Sequence, residues 1–370
     1  MDWSKMTNKK TIIGLTGNIA TGKSVVRRML ANSGALGIDG DDIAHRMLYT
    51  GGPAYQPVIE TFGNEILSEN EQISRRKLGE IVFNDPNMLE KLESLVHPAV
   101  TEAILQRANR SQELIIVIEA IKLLEAGLGE ICDTIWVSHA SPDHQLERLM
   151  QTRKMGKTEA QNRITGQPSQ SKKRSRADIV INTEGSFIST WHQVQRALND
   201  TIKTNQISDR QNIKKAQGWT SQTPSDLPET SIEAFWKANS GENPSNLYES
   251  LGMSMILPIL FTSKLEALVI WKNTNFTASL SKEILSESSK VSEVPVLPAF
   301  EAHCERKQCE ILFLPDCFKP DDRLVKAGFT RRRVADLPYP AWRIAGERFT
   351  GDKQETTWVK IIAQPFETSQ

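Results

Sequence analysis

Across the first part of the chain, short apolar runs alternate with stretches of helical spacing. The runs Thr11–Thr16, Ala35–Asp39, Leu114–Glu119, Thr134–Ser138 and Ile179–Asn182 have the length and β-branched content of buried strands. Between them, Asp42–Leu48, Met88–Asn109 and the more polar Pro142–Gln167 carry the 3.6-residue spacing of amphipathic helices. Behind the first run, Val25, Val26, Met29 and Leu30 form one apolar helix face. Strand and helix in regular alternation predict an α/β domain built on a parallel sheet.

The texture then changes. Thr201–Asn212 is polar without apolar periodicity, and Ser221–Glu229 is rich in turn residues. The expected organisation is a first domain over 1–204, a linker at 205–212 and a second domain over 213–370. In the second domain the pattern predicts a helix at Thr230–Ala238 and strands at Met253–Leu260 and Leu265–Lys272. A helix at Val294–Arg306, a strand at Cys309–Leu314, a helix at Asp321–Ala327 and an Ala327-Gly328-Phe329 turn come after them, which together describe an α+β domain.

Composition narrows the classes. At 370 residues, 39% hydrophobic and 24% charged, the chain has the make-up of a globular protein. Lys plus Arg and Asp plus Glu balance at 45 each, so no overall field draws it to nucleic acid or to a membrane surface. The apolar run Met253–Phe261 is too short to span a bilayer, and the first ten residues lack the apolar core of a secretory signal. Four cysteines make no disulfide framework. The expectation is a cytoplasmic protein with no nucleic-acid or membrane partner, its oligomeric state unknown. Cys304, Cys309 and Cys317, despite the neighbouring His303, lack metal-ligand spacing and are expected to pack as thiols. Trp219, Trp236, Trp271, Trp342 and Trp358 are expected to fill core, and Arg331-Arg332-Arg333 to face solvent.

The chemistry concentrates at Gly17-Asn18-Ile19-Ala20-Thr21-Gly22-Lys23-Ser24, which matches G-x-x-x-x-G-K-[ST] between a strand and a helix. A loop of this kind points successive backbone N–H groups at phosphate oxygens, with the positive end of the helix behind it. Gly17 through Val25 would therefore bind the phosphates of a nucleoside triphosphate. Lys23 would reach the β- and γ-phosphates, and the Ser24 hydroxyl would hold the Mg²⁺ bound to them. The second strand ends in Ile38-Asp39-Gly40-Asp41-Asp42, at the edge of an α/β sheet where substrates collect. A carboxylate there can accept a proton from an attacking hydroxyl, a part given to Asp41, with helix capping or a solvent-facing place left to Asp42.

Four further segments stand in order behind these: Ser74-Arg75-Arg76-Lys77-Leu78 before Ile81-Val82-Phe83, Leu95-Val96-His97-Pro98, Ile118-Glu119-Ala120-Ile121-Lys122-Leu123-Leu124-Glu125, and Arg176-Ala177-Asp178-Ile179-Val180-Ile181-Asn182. Over roughly residues 10–200 the set resembles the dephospho-coenzyme A kinases. That resemblance implies a P-loop fold with a helical lid and transfer of the ATP γ-phosphoryl group to the ribose 3′-hydroxyl of dephospho-coenzyme A, completing coenzyme A synthesis. It sets Asp41 on the catalytic aspartate and Arg75 on a substrate- or phosphate-binding arginine. His97 falls on a helical position open either to substrate contact or to packing before Pro98. Pro142–Arg176 corresponds to the lid, whose Arg148 and Arg153 are the expected catalytic and ATP-binding cations, ahead of Arg163. Two departures bear on the acceptor. Glu119 stands for an aspartate, with Ile121 and Lys122 after it, and Ser74 replaces an aspartate that would orient Arg75.

The second domain resembles the closing half of a GCN5-related acetyltransferase. Its region Asn273–Val294 has no glycine, so a backbone-donor loop for a pyrophosphate is not expected there and transferase activity is not implied. Two other functions stay open: a P-loop kinase for a nucleoside or nucleotide, and a non-catalytic nucleotide-sensing module.

Overall fold

The computed structural model describes residues 10–204, 219–274, 276–286, 296–315, 322–352 and 355–364. The expected linker at 205–212 and Cys317 lie outside them. The chain packs as two compact units, each drawing on both parts of the sequence. One comprises Met1–Ile38, Ser111–Lys272 and Ser281–Arg306, the other Asp39–Arg110, Asn273–Leu280 and Lys307–Gln370.

The first unit is organised by five strands, β1 (Thr11–Thr16), β2 (Leu36–Asp39), β3 (Ile115–Glu119), β4 (Thr134–His139) and β5 (Ile179–Asn182). Their order is β2-β3-β1-β4-β5, and β1 runs parallel to β3 and β4, as does β4 to β5. β1 and β3 are buried along their whole length, which is why both read as unbroken apolar runs instead of alternating ones. The parallel register sends the carboxyl ends of β1, β3, β4 and β5 to one edge, where the Gly17–Ser24 loop meets Glu119 and Thr183.

Helix Lys23–Asn32 covers this sheet and buries Val26, Met29 and Leu30. Its core continues into the later sequence. Ile232 and Trp236 of helix Glu229–Ser240, Leu247, Tyr248 and Leu251 of helix Pro244–Met253, and Ile256, Leu268 and Ile270 belong to the same buried cluster as Ile13, Leu15 and Trp136. Gly252 allows a close approach, since a Cβ there would lie 2.7 Å from the Phe187 ring and 3.0 Å from Val25. In this unit β6 (Trp219–Ser221), β7 (Met255–Phe261) and β8 (Lys264–Thr274) pair antiparallel in sequence.

In the second unit, helix Gly40–Met47 packs on the long helix Pro86–Arg110. That helix starts with a proline after Asp85, whose carboxylate accepts from the N–H groups of Asn87 and Met88. It runs continuously through Pro98. β9 (Thr277–Leu285) begins here and pairs parallel with β10 (Ile311–Leu314). β12 (Thr356–Ile361) lies antiparallel between β10 and β11 (Thr330–Arg333). Parallel and antiparallel pairs together make this a mixed α+β arrangement. Trp236, Trp271, Trp342 and Trp358 are buried as expected, and β11 exposes its arginines.

Several elements differ from their expectation. Pro142–Gln167 is two helices, Pro142–Arg153 and Lys157–Thr165, broken where Lys154 takes a left-handed φ of 55°. Asn273–Val294, expected as a loop, contains β9, whose polar alternation hides a strand with one buried face. Helices Pro244–Met253 and Pro340–Thr350, absent from the expected elements, each open with proline in the first turn, a start signal visible in the sequence. None of the described helices is long and apolar enough to cross a membrane.

The far end of helix Lys23–Asn32 is fixed by one side chain. Asn32, 1% exposed, donates to the carbonyls of Leu251 and Ser254 at 2.9 Å and accepts the Ile256 N–H at 2.8 Å. Asn32→Ala strips three buried backbone groups of their partner, and chemical denaturation should show a loss of about 2–5 kcal/mol. A loss below about 1 kcal/mol would mean that water replaces the amide.

Candidate active site

The loop Gly17–Ser24 follows β1 and is shaped by contacts only glycine allows. At Gly17, with φ of 153°, a Cβ would sit 2.6 Å from the hydroxyl oxygens of Ser138 and Thr21. Gly22 has φ of 84° and caps helix Lys23–Asn32, with the Thr183 side chain 3.0 Å from where its Cβ would be. The loop is tied from within and from β4. Thr21 Oγ1 lies 2.8 Å from the Asn18 carbonyl, to which it donates, and 2.8 Å from the Ser138 hydroxyl. Lys23 is buried and crosses the loop, donating to the Asn18 carbonyl at 3.0 Å.

Ser24, in the first turn of the helix, meets the end of β3. Its hydroxyl donates to Glu119 Oε1 at 2.9 Å, while Arg27 Nε donates to Glu119 Oε2 at 2.5 Å. Burial pushes the Glu119 carboxyl up, but the Arg27 charge and hydrogen bond, with Lys23 and Ser24, outweigh it and hold the carboxyl below its ordinary range. Glu119 is thus a buried anion compensated on both oxygens. Arg27, which the sequence did not single out, is its main partner.

Arg148, on helix Pro142–Arg153, turns toward the loop. One guanidinium nitrogen donates to the Ala20 carbonyl at 3.1 Å and to Thr183 Oγ1 at 3.0 Å, and another donates to the Thr183 carbonyl. Thr183, just past β5, also donates to the Thr21 carbonyl at 2.9 Å. Arg153 sits exposed at the end of the same helix, apart from this cluster, and Arg163 pairs with Glu159 on a solvated face. Gln167, past the second lid helix, accepts the Ile19 N–H through Oε1 at 2.7 Å, and Asn18 Nδ2 donates to the Pro168 carbonyl at 2.8 Å. Gln167 therefore occupies a donor of the phosphate loop. Lys173 is likewise buried rather than solvated, donating to the Ile121 carbonyl at 2.5 Å.

The second unit holds the residues expected to face the acceptor. Helix Gly40–Met47 is capped by Asp39, whose carboxylate accepts the Asp42 N–H at 3.0 Å. Capping thus belongs to Asp39, not to Asp42. Asp41 is half-buried in the first turn of this helix. Arg75 opens helix Arg75–Val82 and is exposed, while the preceding Ser74 accepts the Lys77 N–H as a helix cap. His97 is half-buried inside helix Pro86–Arg110.

His45 lies between two arginine charges. Burial, then the charges of Arg75 and Arg348, bring its pKa down to about 4 from the ordinary 6.5. A depressed histidine pKa means the unfolded chain binds this proton more readily than the folded one. Stability contributed here is full above about pH 6.5 and falls away as pH drops toward about 4. His45→Gln should flatten that part of the profile of thermal midpoint against pH. An unchanged slope between those limits would show that another group carries it.

Residues 11–189 match the family model described as dephospho-CoA kinase. A dephospho-CoA kinase from Bacillus licheniformis is 41% identical over 191 residues, covering 51% of this chain and 95% of that protein. Among solved structures, the dephospho-CoA kinase from Campylobacter jejuni is 26% identical, covers 53% of this chain and 99% of its own, and has a TM-score of 0.40. The ribosomal-protein-S18-alanine N-acetyltransferase from Escherichia coli is 12% identical, with 40% and 94% covered and a TM-score of 0.27. The matched stretch contains the glycine loop, Asp41, Arg75, His97, Glu119 and Arg148. With nearly the full length of a relative matched at such identity, the chain belongs to the dephospho-CoA kinase family and is a kinase of that kind.

Proposed function

We propose that this chain transfers the γ-phosphoryl group of ATP to the ribose 3′-hydroxyl of dephospho-coenzyme A, with Asp41 as the general base. The observation that carries the reading is the charged cluster behind the phosphate loop: Ser24, Glu119 and Arg27 joined at a helix N-terminus, with Lys23 across the loop. A helix end with outward N–H groups, one ammonium and a compensated carboxylate suits a triphosphate and its charge. ATP binding replaces the Gln167 carbonyl at the Ile19 N–H with a phosphate oxygen, and the lid segment that carries Gln167 is released in the same step.

The donor set also fits Mg²⁺, which favours hard oxygen ligands and keeps several waters. Ser24 would hold it, with Glu119 fixing the hydroxyl's proton so that a lone pair is left for the ion. When bound, the ion neutralises charge on the β- and γ-phosphates. Lys23 stabilises the same oxygens as charge builds on them, and Arg148 keeps Ala20 and Thr183 in register so that the loop does not have to reorganise. Asp41 accepts the proton of the 3′-hydroxyl. Arg75 and His97 serve the acceptor, Arg75 as a cation for its phosphates. In-line positioning and charge stabilisation supply most of the rate.

The same reading divides the sequence into a kinase over 1–204, a linker at 205–212 and an acetyltransferase-like part over 213–370 without transferase activity. The absence of glycine throughout Asn273–Val294 supports the last point. The reading also carries a cytoplasmic location, with free ATP and no nucleic-acid or membrane partner. Nothing in the geometry favours a nucleoside acceptor or a sensing role over it.

Steady-state phosphorylation of dephospho-coenzyme A, adenosine and nucleoside monophosphates tests the acceptor, and turnover only of the latter two would overturn it. Asp41→Asn should lower kcat by about 10²–10⁴-fold with ATP binding intact. Unchanged turnover in that variant removes Asp41 as base. Lys23→Ala should weaken both ATP binding and turnover.

A further inference from the structure

A buried ion pair of the second unit joins the helix that carries Asp41 to the residue before a strand from the C-terminal part. Arg46, on the eight-residue helix Gly40–Met47, donates through Nη2 to both oxygens of Glu310 at 3.0 Å, and the two side chains are 1% and 4% exposed. Glu310 stands just before β10 and accepts a second donor, the Trp342 indole N–H, at 2.7 Å. The Arg46 guanidinium also lies over the Phe276 ring, 4.2 Å from its centroid, at the start of β9.

The neighbouring helix is held the same way. Arg107, on Pro86–Arg110, stacks 3.7 Å from the centroid of that Phe276 ring and donates to the Lys307 carbonyl at 3.2 Å. Gln308 returns a bond from its side chain to the Arg107 carbonyl at 3.0 Å. Tyr49, just past the Asp41 helix, packs against the cluster of Phe313, Leu337 and Trp342. Helix Pro340–Thr350, which supplies Trp342, also sets the Arg348 charge near His45 and Tyr49.

We propose that Glu310 is a positioning residue of the kinase, which acts through Arg46 to fix helix Gly40–Met47 and with it the carboxylate of Asp41. This rests on the reading of Asp41 as the acceptor-side base. A buried guanidinium tolerates few positions, because it must keep its carboxylate and its ring together. Helix Gly40–Met47 spans only two turns, so restraint at Arg46 reaches Asp41 with little slack. A polar pair of this kind specifies geometry more than it adds stability. The C-terminal part then serves catalysis without binding substrate itself: it supplies the anion and the indole that hold the acceptor helix.

The test uses the full-length protein. In Glu310→Gln the guanidinium loses its counter-charge, and kcat/KM for dephospho-coenzyme A should fall about ten- to a hundred-fold while the KM for ATP stays within about two-fold. Amide hydrogen exchange should quicken in helix Gly40–Met47 and stay unchanged in helix Lys23–Asn32. Trp342→Phe keeps the ion pair and removes one donor, so it should show the same split with a smaller change, and it decides the matter if Glu310→Gln does not fold. A folded variant with the acceptor constants of the original chain overturns the proposal. So does an equal loss toward both substrates that tracks the folded fraction. If the original chain leaves dephospho-coenzyme A unphosphorylated, the functional reading fails instead, and the exchange pattern of the two helices alone decides for or against the clamp.

Discussion

Helix Lys23–Asn32 has to offer unsatisfied N–H groups at one end and stay fixed at the other. A helix that presents its N-terminus to a ligand gives up the caps that normally stabilise that end, and Gly22 indeed provides no side-chain cap. The deficit is met elsewhere. Val26, Met29 and Leu30 bury the helix in the core, and Asn32 locks its last turn to the backbone of 251–256. Glu119 adds a buried anion beside the first turn, where it compensates Arg27 and restrains Ser24. The phosphate loop is preorganised because its helix is anchored by residues that never meet phosphate.

Much of this first region was legible because physical demand and sequence pattern coincide. A strand buried on both faces must be apolar throughout, so β1 and β3 announced themselves to within a residue or two. The glycine loop was legible for a sharper reason: φ of 153° at Gly17 and 84° at Gly22, with neighbours at van der Waals limits, admit almost no other residue. Asp39 could have been read as the cap of helix Gly40–Met47 from its place before the helix, but three acidic residues in four left the choice open. The break at Lys154 had no local signal beyond Gly156, since a lysine rarely takes a left-handed φ.

The rest was illegible because it depends on pairs far apart in sequence. Gln167 and Ile19 are separated by 148 positions, and Arg46 and Glu310 by 264. An arginine in a predicted amphipathic helix reads as a solvated cation, and in most helices that is correct. At Arg46 and Lys173 it fails, because each reaches a carboxylate or a carbonyl contributed by a distant segment. Charged residues inside the fold were therefore the least readable class. Arg46 and Arg107 both join helices of the kinase sequence to the C-terminal part of the chain.

The acceptor side of the second unit shows what such placement achieves electrostatically. His45 is kept neutral near physiological pH by burial and by Arg75 and Arg348, so the cationic character of this region comes from guanidinium groups that do not titrate. On the function proposed for this chain, an acceptor that carries a pyrophosphate would be met by permanent charge, with Asp41 in the first turn of its helix as the proposed base. That reading gives two tasks to separate groups, fixed cations for binding and one carboxylate for proton transfer. It requires that the helix between them hold still, and the buried Arg46–Glu310 pair meets that requirement.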